Sequence, residues 1–272
     1  MNSLHLSLVQ MTSTSDVGHN IAEASRLITQ AAEGGAQLIA TPEMTSLLTT
    51  KREVLFSNLR AEDDDAALKA FQTLAHDKNI WLLIGSLPIK VGVEQVANRS
   101  FLITPDGQIA ARYDKIHMFD VSLPDGESYQ ESRLYKPGDK AVLAETPWGG
   151  LGMSICYDVR FPHLYRELAQ KGAKLLSVPA AFTRPTGAAH WHVLLRARAI
   201  ETSSFVFAPA QCGDHGGGRK TFGHSLIIDP WGEILAEGGE EPGIISAKLD
   251  LLRVNDVRER LPSLRLKQKF QL

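Results

Sequence analysis

A carboxylate, an ammonium and a thiol each stand where an apolar stretch of this sequence gives way to a turn. Glu43 follows Leu38-Ile39-Ala40-Thr41-Pro42, Lys115 follows the stretch 108–113, and Cys156 follows Leu151-Gly152-Met153-Ser154-Ile155. Read as strands, these stretches deliver all three groups to sheet ends, where α/β folds place their sites. After Cys156 come Tyr157-Asp158-Val159-Arg160-Phe161, a polar turn, and then a helix over 162–171, whose Pro162 suits a first helical turn. A thiol at such a corner projects beside free backbone N–H groups, as in a nucleophile elbow. A buried small hydrophobe accounts for Cys156 equally well on local sequence, and Glu43 alone also reads as a loop carboxylate. To attack, the thiol needs a base, because the thiolate is the nucleophile. Histidine is the usual one, and His117, His163, His190, His192, His215 and His224 keep a Cys-His hydrolase open as a rival.

Two other groupings carry less. His190-x-His192 falls in a helical stretch, where positions two apart do not share a face, so it argues against a metal site. Gly216-Gly217-Gly218-Arg219-Lys220 lacks the Gly-Lys-Ser/Thr ending of a phosphate loop and reads as a flexible solvent loop. Cys212, at a strand end before that loop, has no base partner in view and reads as structural or pocket-wall.

The elements that must position these groups follow from the pattern of apolar residues. Residues 4–11 alternate as a strand, 20–33 have helical spacing (Ile21, Ala24, Leu27, Ile28, Ala31) stopped by Gly34-Gly35, and 37–41 is a buried strand. Residues 44–61 read as a loop or irregular helix at a pocket mouth. A helix is predicted over 63–77 with Asp63-Asp64-Asp65 as an acidic first turn. A strand over 80–86 and a hairpin of 99–104 and 108–113 across Pro105-Asp106-Gly107 come next. Residues 119–140 have little periodicity, and loops of that length are usually functional or disordered. Then follow a strand over 141–146, the Cys156 strand and helix, a strand over 174–179, a Thr/Pro/Gly loop over 180–189, a helix over 190–203 and a strand over 205–211. A second hairpin spans 222–229 and 233–236 across Pro230-Trp231-Gly232. A strand over 244–249, a short charged helix over 251–260 and a basic, extended tail end the chain. Alternating helices and strands with recurrent hairpins imply a mixed sheet, or two sheets with helices outside.

At 272 residues the chain has no composition break that divides it, and one large α/β domain accommodates it. It carries 29 basic against 31 acidic residues, which argues against a nucleic-acid partner. No apolar run reaches the ~18 residues of a membrane span. The start lacks the charged flank and apolar core of a signal peptide, and two cysteines are too few for a disulfide framework. A cytoplasmic location, with Cys156 a free thiol, is the expectation.

Pro42-Glu43, Tyr113-Asp114-Lys115-Ile116-His117 and Ile155-Cys156-Tyr157-Asp158-Val159-Arg160-Phe161-Pro162 together resemble the Glu, Lys and Cys motifs of the nitrilase superfamily, the carbon–nitrogen hydrolases, in that family's order. Gln130-Glu131-Ser132 resembles its second glutamate. Gly187-Ala188-Ala189-His190-Trp191, Leu195-Arg196-Ala197-Arg198-Ala199-Ile200-Glu201-Thr202, Ala210-Gln211-Cys212-Gly213 and Phe222-Gly223-His224-Ser225 look closest to its deaminated glutathione amidase branch. The ω-amidase branch is a near neighbour, less similar at Ala210-Gln211-Cys212-Gly213, and Arg184-Pro185 departs from the branch pattern.

The resemblance implies an α+β fold, a four-layer αββα sandwich of two mixed sheets with outer helices, as one domain over 1–272 that pairs into a homodimer or larger assembly. It implies that Glu43 is the general base, Cys156 the nucleophile, Lys115 and the Tyr157 backbone N–H the oxyanion donors, and that Glu131 holds Lys115 in register. Phe182, Thr183 and Thr186 are expected beside the substrate. Arg160 is expected to bind its carboxylate through a planar fork, with a brace to Asp158 or Glu167 as the alternative. The substrate implied is a small carboxylate-bearing amide, needing neither metal nor organic cofactor. A catalytically silent binding protein on the same fold would show loss of one of Glu43, Lys115 and Cys156, and all three are present.

Overall fold

The structure is a computed structural model that describes residues 1–122, 126 and 128–266. The first half runs β1 (Ser3–Gln10), α1 (Val17–Glu33), β2 (Leu38–Ala40), α2 (Arg52–Asn58), α3 (Ala66–Lys78), β3 (Trp81–Lys90), β4 (Val96–Ile103), β5 (Ile109–Asp114), β6 (Asp120–Ser122) and β7 (Ser128–Gln130). The second runs β8 (Val142–Thr146), β9 (Gly149–Met153), α4 (Pro162–Gln170), β10 (Ala173–Ser177), α5 (Arg184–Thr202), β11 (Phe205–Ala208), β12 (Cys212–Asp214), β13 (Lys220–Phe222), β14 (Leu226–Ile228), β15 (Ile234–Glu237), β16 (Gly243–Asp250) and α6 (Leu252–Arg260). Two six-stranded sheets result, ordered β16-β1-β2-β3-β4-β5 and β15-β14-β11-β10-β9-β8. In each, three central strands are parallel (β1, β2, β3; β9, β10, β11) and the flanking strands antiparallel.

Strand alternation sorts the core into layers. Leu4, Leu6, Leu8, Leu38 and Leu83 turn inward to meet Leu151, Met153, Leu175 and Phe205 of the other sheet. Val9, Ile39, Leu82 and Ile84 face outward against Leu27 and Ile28 of α1 and Leu68 and Phe71 of α3. On the far side α4 and α5 lie against the second sheet. The αββα arrangement implied by the motifs is the one observed.

Local caps account for where the expected boundaries shift. The acidic run is not the first turn of α3: Glu62–Asp64 forms a separate 3₁₀ turn, and Asp65 caps the helix by accepting from Leu68 N at 2.8 Å. Residues 52–58, within the stretch expected to be a loop or irregular helix, form α2. α5 starts at Arg184, six residues before the expected His190, because Pro185 fits a helical first turn. The aperiodic 119–140 segment contains the ribbon β6–β7, with 123–125 and 127 outside the described residues. The expected basic tail lies in part outside them as well, at 267–272.

Candidate active site

Glu43 sits on the turn after β2. Gly85 in β3 lets that turn come close, since a Cβ there would lie 2.1 Å from Thr41 O and 2.4 Å from Pro42 O. Gln211, between β11 and β12, clamps the turn, its Nε2 donating to Glu43 O at 2.9 Å. Lys115 leaves β5 with its N–H bonded to Asn98 O at 2.9 Å. Cys156 follows β9 in the left-handed region at φ 51°, a conformation that costs a non-glycine residue about 1–3 kcal/mol and is met mainly at functional sites. Its N–H donates to Pro179 O at 2.9 Å. The Tyr157 N–H, at the start of the helical turn Cys156–Arg160, has no backbone acceptor among the described residues, as expected of first-turn N–H groups.

These three strand ends meet. Lys115 Nζ donates to Glu43 Oε1 at 3.0 Å and to Glu131 at 3.0 and 2.8 Å. Glu43 Oε2 accepts from Ala181 N at 2.9 Å, and Oε1 from Asn98 Nδ2 at 2.9 Å. Glu131 Oε2 accepts from Phe119 N at 2.7 Å. Glu43, Lys115 and Cys156 are 4 %, 2 % and 7 % exposed, so their charges act with little water between them. Burial opposes the charge of Glu43, but the Lys115 ammonium and hydrogen bonds from Cys156, Lys115 and Asn98 outweigh it and hold the carboxyl below its ordinary range. Burial also opposes the charge on Lys115, and there Glu131 and Glu43 prevail and raise it well above the usual lysine. Burial, then the Glu43 charge, push the Cys156 thiol well up. At neutral pH the result is a protonated thiol beside an ionised carboxylate that can accept its proton, which is the starting state for general-base attack.

A cavity of roughly 390 Å³ opens over this cluster, within the range of small-molecule sites. Glu43, Lys115, Glu131, Cys156, Tyr157, Phe182, Thr183 and Thr186 all line it. No histidine is among the described lining residues, which removes the base a Cys-His hydrolase requires. Arg160 is not among them either. Its guanidinium lies 5.7 Å from the Tyr157 ring and 5.6 Å from the Phe182 ring, with Nη2 3.2 Å from His190 Nδ1. It stands beside two rings that line the cavity, and its contacts are to partners other than Asp158 or Glu167. The 216–220 segment also departs from expectation. It links β12 to β13 and sends Arg219 into the cavity wall. Asn98 and Arg219 were missed as site residues because one lies inside an ordinary strand and the other in a glycine-rich turn, while Gln211 stood out only as part of the branch motif Ala210-Gln211-Cys212-Gly213. Cys212 is fully buried, near Thr12 Oγ1 at 3.6 Å.

Among the described residues, one group of side chains outside the cavity has metal-ligand chemistry. His192, His224 and Glu237 place their ligand atoms within 4.8 Å of one another. The two histidines bond the same Glu237 oxygen at 2.9 and 3.0 Å. His190 points elsewhere, to Arg160, as i and i+2 on a helix should.

The carbon–nitrogen hydrolase family model matches residues 5–259. A deaminated glutathione amidase of Synechocystis sp. is 46% identical over 260 residues, covering 94% of this chain and 95% of its own. An omega-amidase, NIT2 of Xenopus tropicalis, is 35% identical over 263 residues, covering 96% and 94%. The crystal structure of Saccharomyces cerevisiae Nit3, described as a member of branch 10 of the nitrilase superfamily, superposes with a TM-score of 0.89 at 28% identity, over 99% of this chain and 97% of that one. With its fold, its buried Glu-Lys-Cys cluster and these matches in agreement, the chain belongs to the carbon–nitrogen hydrolase family.

Proposed function

We propose that the protein hydrolyses a carboxylate-bearing amide through a thioester on Cys156, with deaminated glutathione as substrate and 2-oxoglutarate and cysteinylglycine as products. The observation that carries this is the protonated thiol, the ionised carboxylate and the lysine converging on one cavity. Glu43 takes the thiol proton as Cys156 Sγ attacks the amide carbonyl. Lys115 Nζ and the Tyr157 N–H face the oxygen on which negative charge develops. The C–N bond then breaks, the nitrogen leaving with the proton held on Glu43. Water attacks the thioester, giving its proton to Glu43, and the acid departs as the thiol is restored. Glu131 keeps Lys115 aimed at the oxyanion position. The chain works as one domain, in the cytoplasm, as a homodimer or larger assembly, and needs no cofactor for these steps.

The choice of leaving group rests on the higher identity to relatives named deaminated glutathione amidase than to the omega-amidase. Hydrolysis of 2-oxoglutaramate, with ammonia leaving, is the second reading, and other small or N-carbamoyl amides come next. A paired assay of both amides decides. We expect deaminated glutathione to be favoured and an acid-quenched reaction to show the acyl adduct on Cys156 by intact mass, with Cys212 unmodified. Faster ammonia release from 2-oxoglutaramate selects the second reading. Turnover with no adduct at any quench time, and inhibition by a chelator, would overturn the thioester.

A further inference from the structure

Resting on that reading, we infer that Arg219 is the receptor for the carboxylate of the substrate's acyl half. The described residues lining the cavity include two cations, Lys115 and Arg219. Lys115 is already held between two carboxylates at 2.8–3.0 Å. Arg219 has no carboxylate partner among the described residues. Its Nη2 donates to Ala181 O at 2.6 Å, its Cζ lies 4.8 Å from the Tyr129 ring centroid, and its Nη1 is buried with no hydrogen-bond partner. A buried guanidinium N–H left unmatched is costly, and a ligand carboxylate is the partner its planar fork fits best.

The loop that carries Arg219 is fixed in place. Arg219 O accepts from His215 N at 2.9 Å, and Arg219 N donates to Gly216 O at 3.1 Å. The His215 ring, 7 % exposed, is pinned by Ser13 O and Thr221 Oγ1, both at 2.7 Å. Phe222 N bonds Phe182 O at 3.0 Å. The cation is thus preorganised, which spares a ligand the cost of ordering it. Ala181 sets the reach. Its N–H serves Glu43 and its C=O serves Arg219, so base and guanidinium stand on either side of a single residue. A short acyl chain ending in a carboxylate spans that gap, with its amide carbonyl at Cys156. The leaving group then points away from Arg219, and the same receptor serves amides that differ only in the leaving amine.

The test uses binding of 2-oxoglutarate, the product acid, to Cys156→Ala protein, measured by calorimetry, with and without Arg219→Ala or Arg219→Lys. We expect Arg219→Ala to weaken binding about 100-fold and Arg219→Lys about 10-fold, because an ammonium keeps the charge and loses the fork. In the Cys156-containing enzyme, Arg219→Ala should raise KM for 2-oxoglutaramate and deaminated glutathione by similar factors. Unchanged 2-oxoglutarate affinity in the Arg219→Ala protein overturns the inference, as does a KM effect confined to deaminated glutathione, which would assign Arg219 to the leaving group. A wild-type enzyme that hydrolyses neither amide instead overturns the functional reading.

Discussion

Asp158 shows how much a single side chain does at this site without lining the cavity. Fully buried, it accepts from Tyr113 Oη at 2.6 Å, His117 N at 3.0 Å and Ile155 N at 2.8 Å, and pairs with His117 Nδ1 at 2.7 Å. Tyr113 and His117 flank Lys115, and Ile155 precedes Cys156, so one carboxylate locks the lysine loop to the cysteine turn. An Asp158→Asn amide turns N–H groups toward donors. It should lose about 3 kcal/mol of stability, since each hydrogen bond to a charged group is worth about 1.5–3 kcal/mol, and the shift of the urea midpoint reports it. Glu43→Gln keeps an acceptor for Ala181 N–H but cannot carry a proton between thiol and leaving nitrogen. We expect kcat to fall about 10³-fold, within the usual reach of general acid–base catalysis, and Cys156→Ala to abolish turnover with the circular dichroism spectrum unchanged. The motif residues were legible in the sequence because each ends an apolar run. Arg219 was not, because a glycine-rich turn gives no sign of which way its one long side chain points until the sheets are packed. The spacing of Arg160 from Cys156 is short, and the helical turn between them sets its guanidinium beside the Tyr157 and Phe182 rings and His190, a placement that spacing alone does not give.

At the scale of elements, the close fit of β3 to the turn after β2 decides where Glu43 stands. Gly85→Ala would push a methyl into the Thr41 and Pro42 carbonyls, which are backbone and cannot swing aside. We expect the β2 turn to shift, kcat/KM to fall about 10²-fold, as small misplacements of catalytic groups do, and overpacking to cost about 1–3 kcal/mol. Activity equal to wild type in a folded Gly85→Ala protein would show that the turn has slack. Strands with alternating or continuous apolar residues were readable in advance, and so were the hairpins marked by Pro-Asp-Gly and Pro-Trp-Gly. Helix starts were not: Pro185 reads as a breaker within a Thr/Pro/Gly stretch, and only the packing of α5 makes it a first-turn residue. The pairing of twelve strands into two sheets was not derivable from periodicity, which fixes faces and leaves partners open; the family motifs supplied it.

Across the whole molecule, buried acids set the response to alkali. Burial pushes Cys156, Tyr113 and Tyr165 well up and also raises Tyr135, and Lys115 is held protonated by Glu131 and Glu43 against its burial. Above about pH 9 the unfolded chain therefore releases protons that the folded chain still holds, so stability falls as pH rises. Thermal midpoints should decline from pH 8 to pH 10.5, and a flat profile would contradict this. No helix among the described residues is long and apolar enough to cross a membrane. The exposed face of α5 carries Val193 and Ile200, with Trp231 in the turn beside them, an apolar patch of the kind that marks protein contacts. If the proposed dimer forms there, Ile200→Asp should yield monomers by sedimentation while leaving the fold intact.

β16 pairs antiparallel with β1 along its full length, Ser3 opposite Asp250 and Gln10 opposite Gly243. On a ribosome, β1 emerges well before β16, and its edge waits for a partner more than two hundred residues away. The sheet carrying Glu43 and Lys115 is therefore finished only after the sheet carrying Cys156 has been made. Such long-range pairing slows folding and leaves an apolar edge open during synthesis. Reactivity of Cys156 toward a bulky alkylating reagent, followed as the chain lengthens, should stay high until 243–250 clears the exit tunnel and then drop.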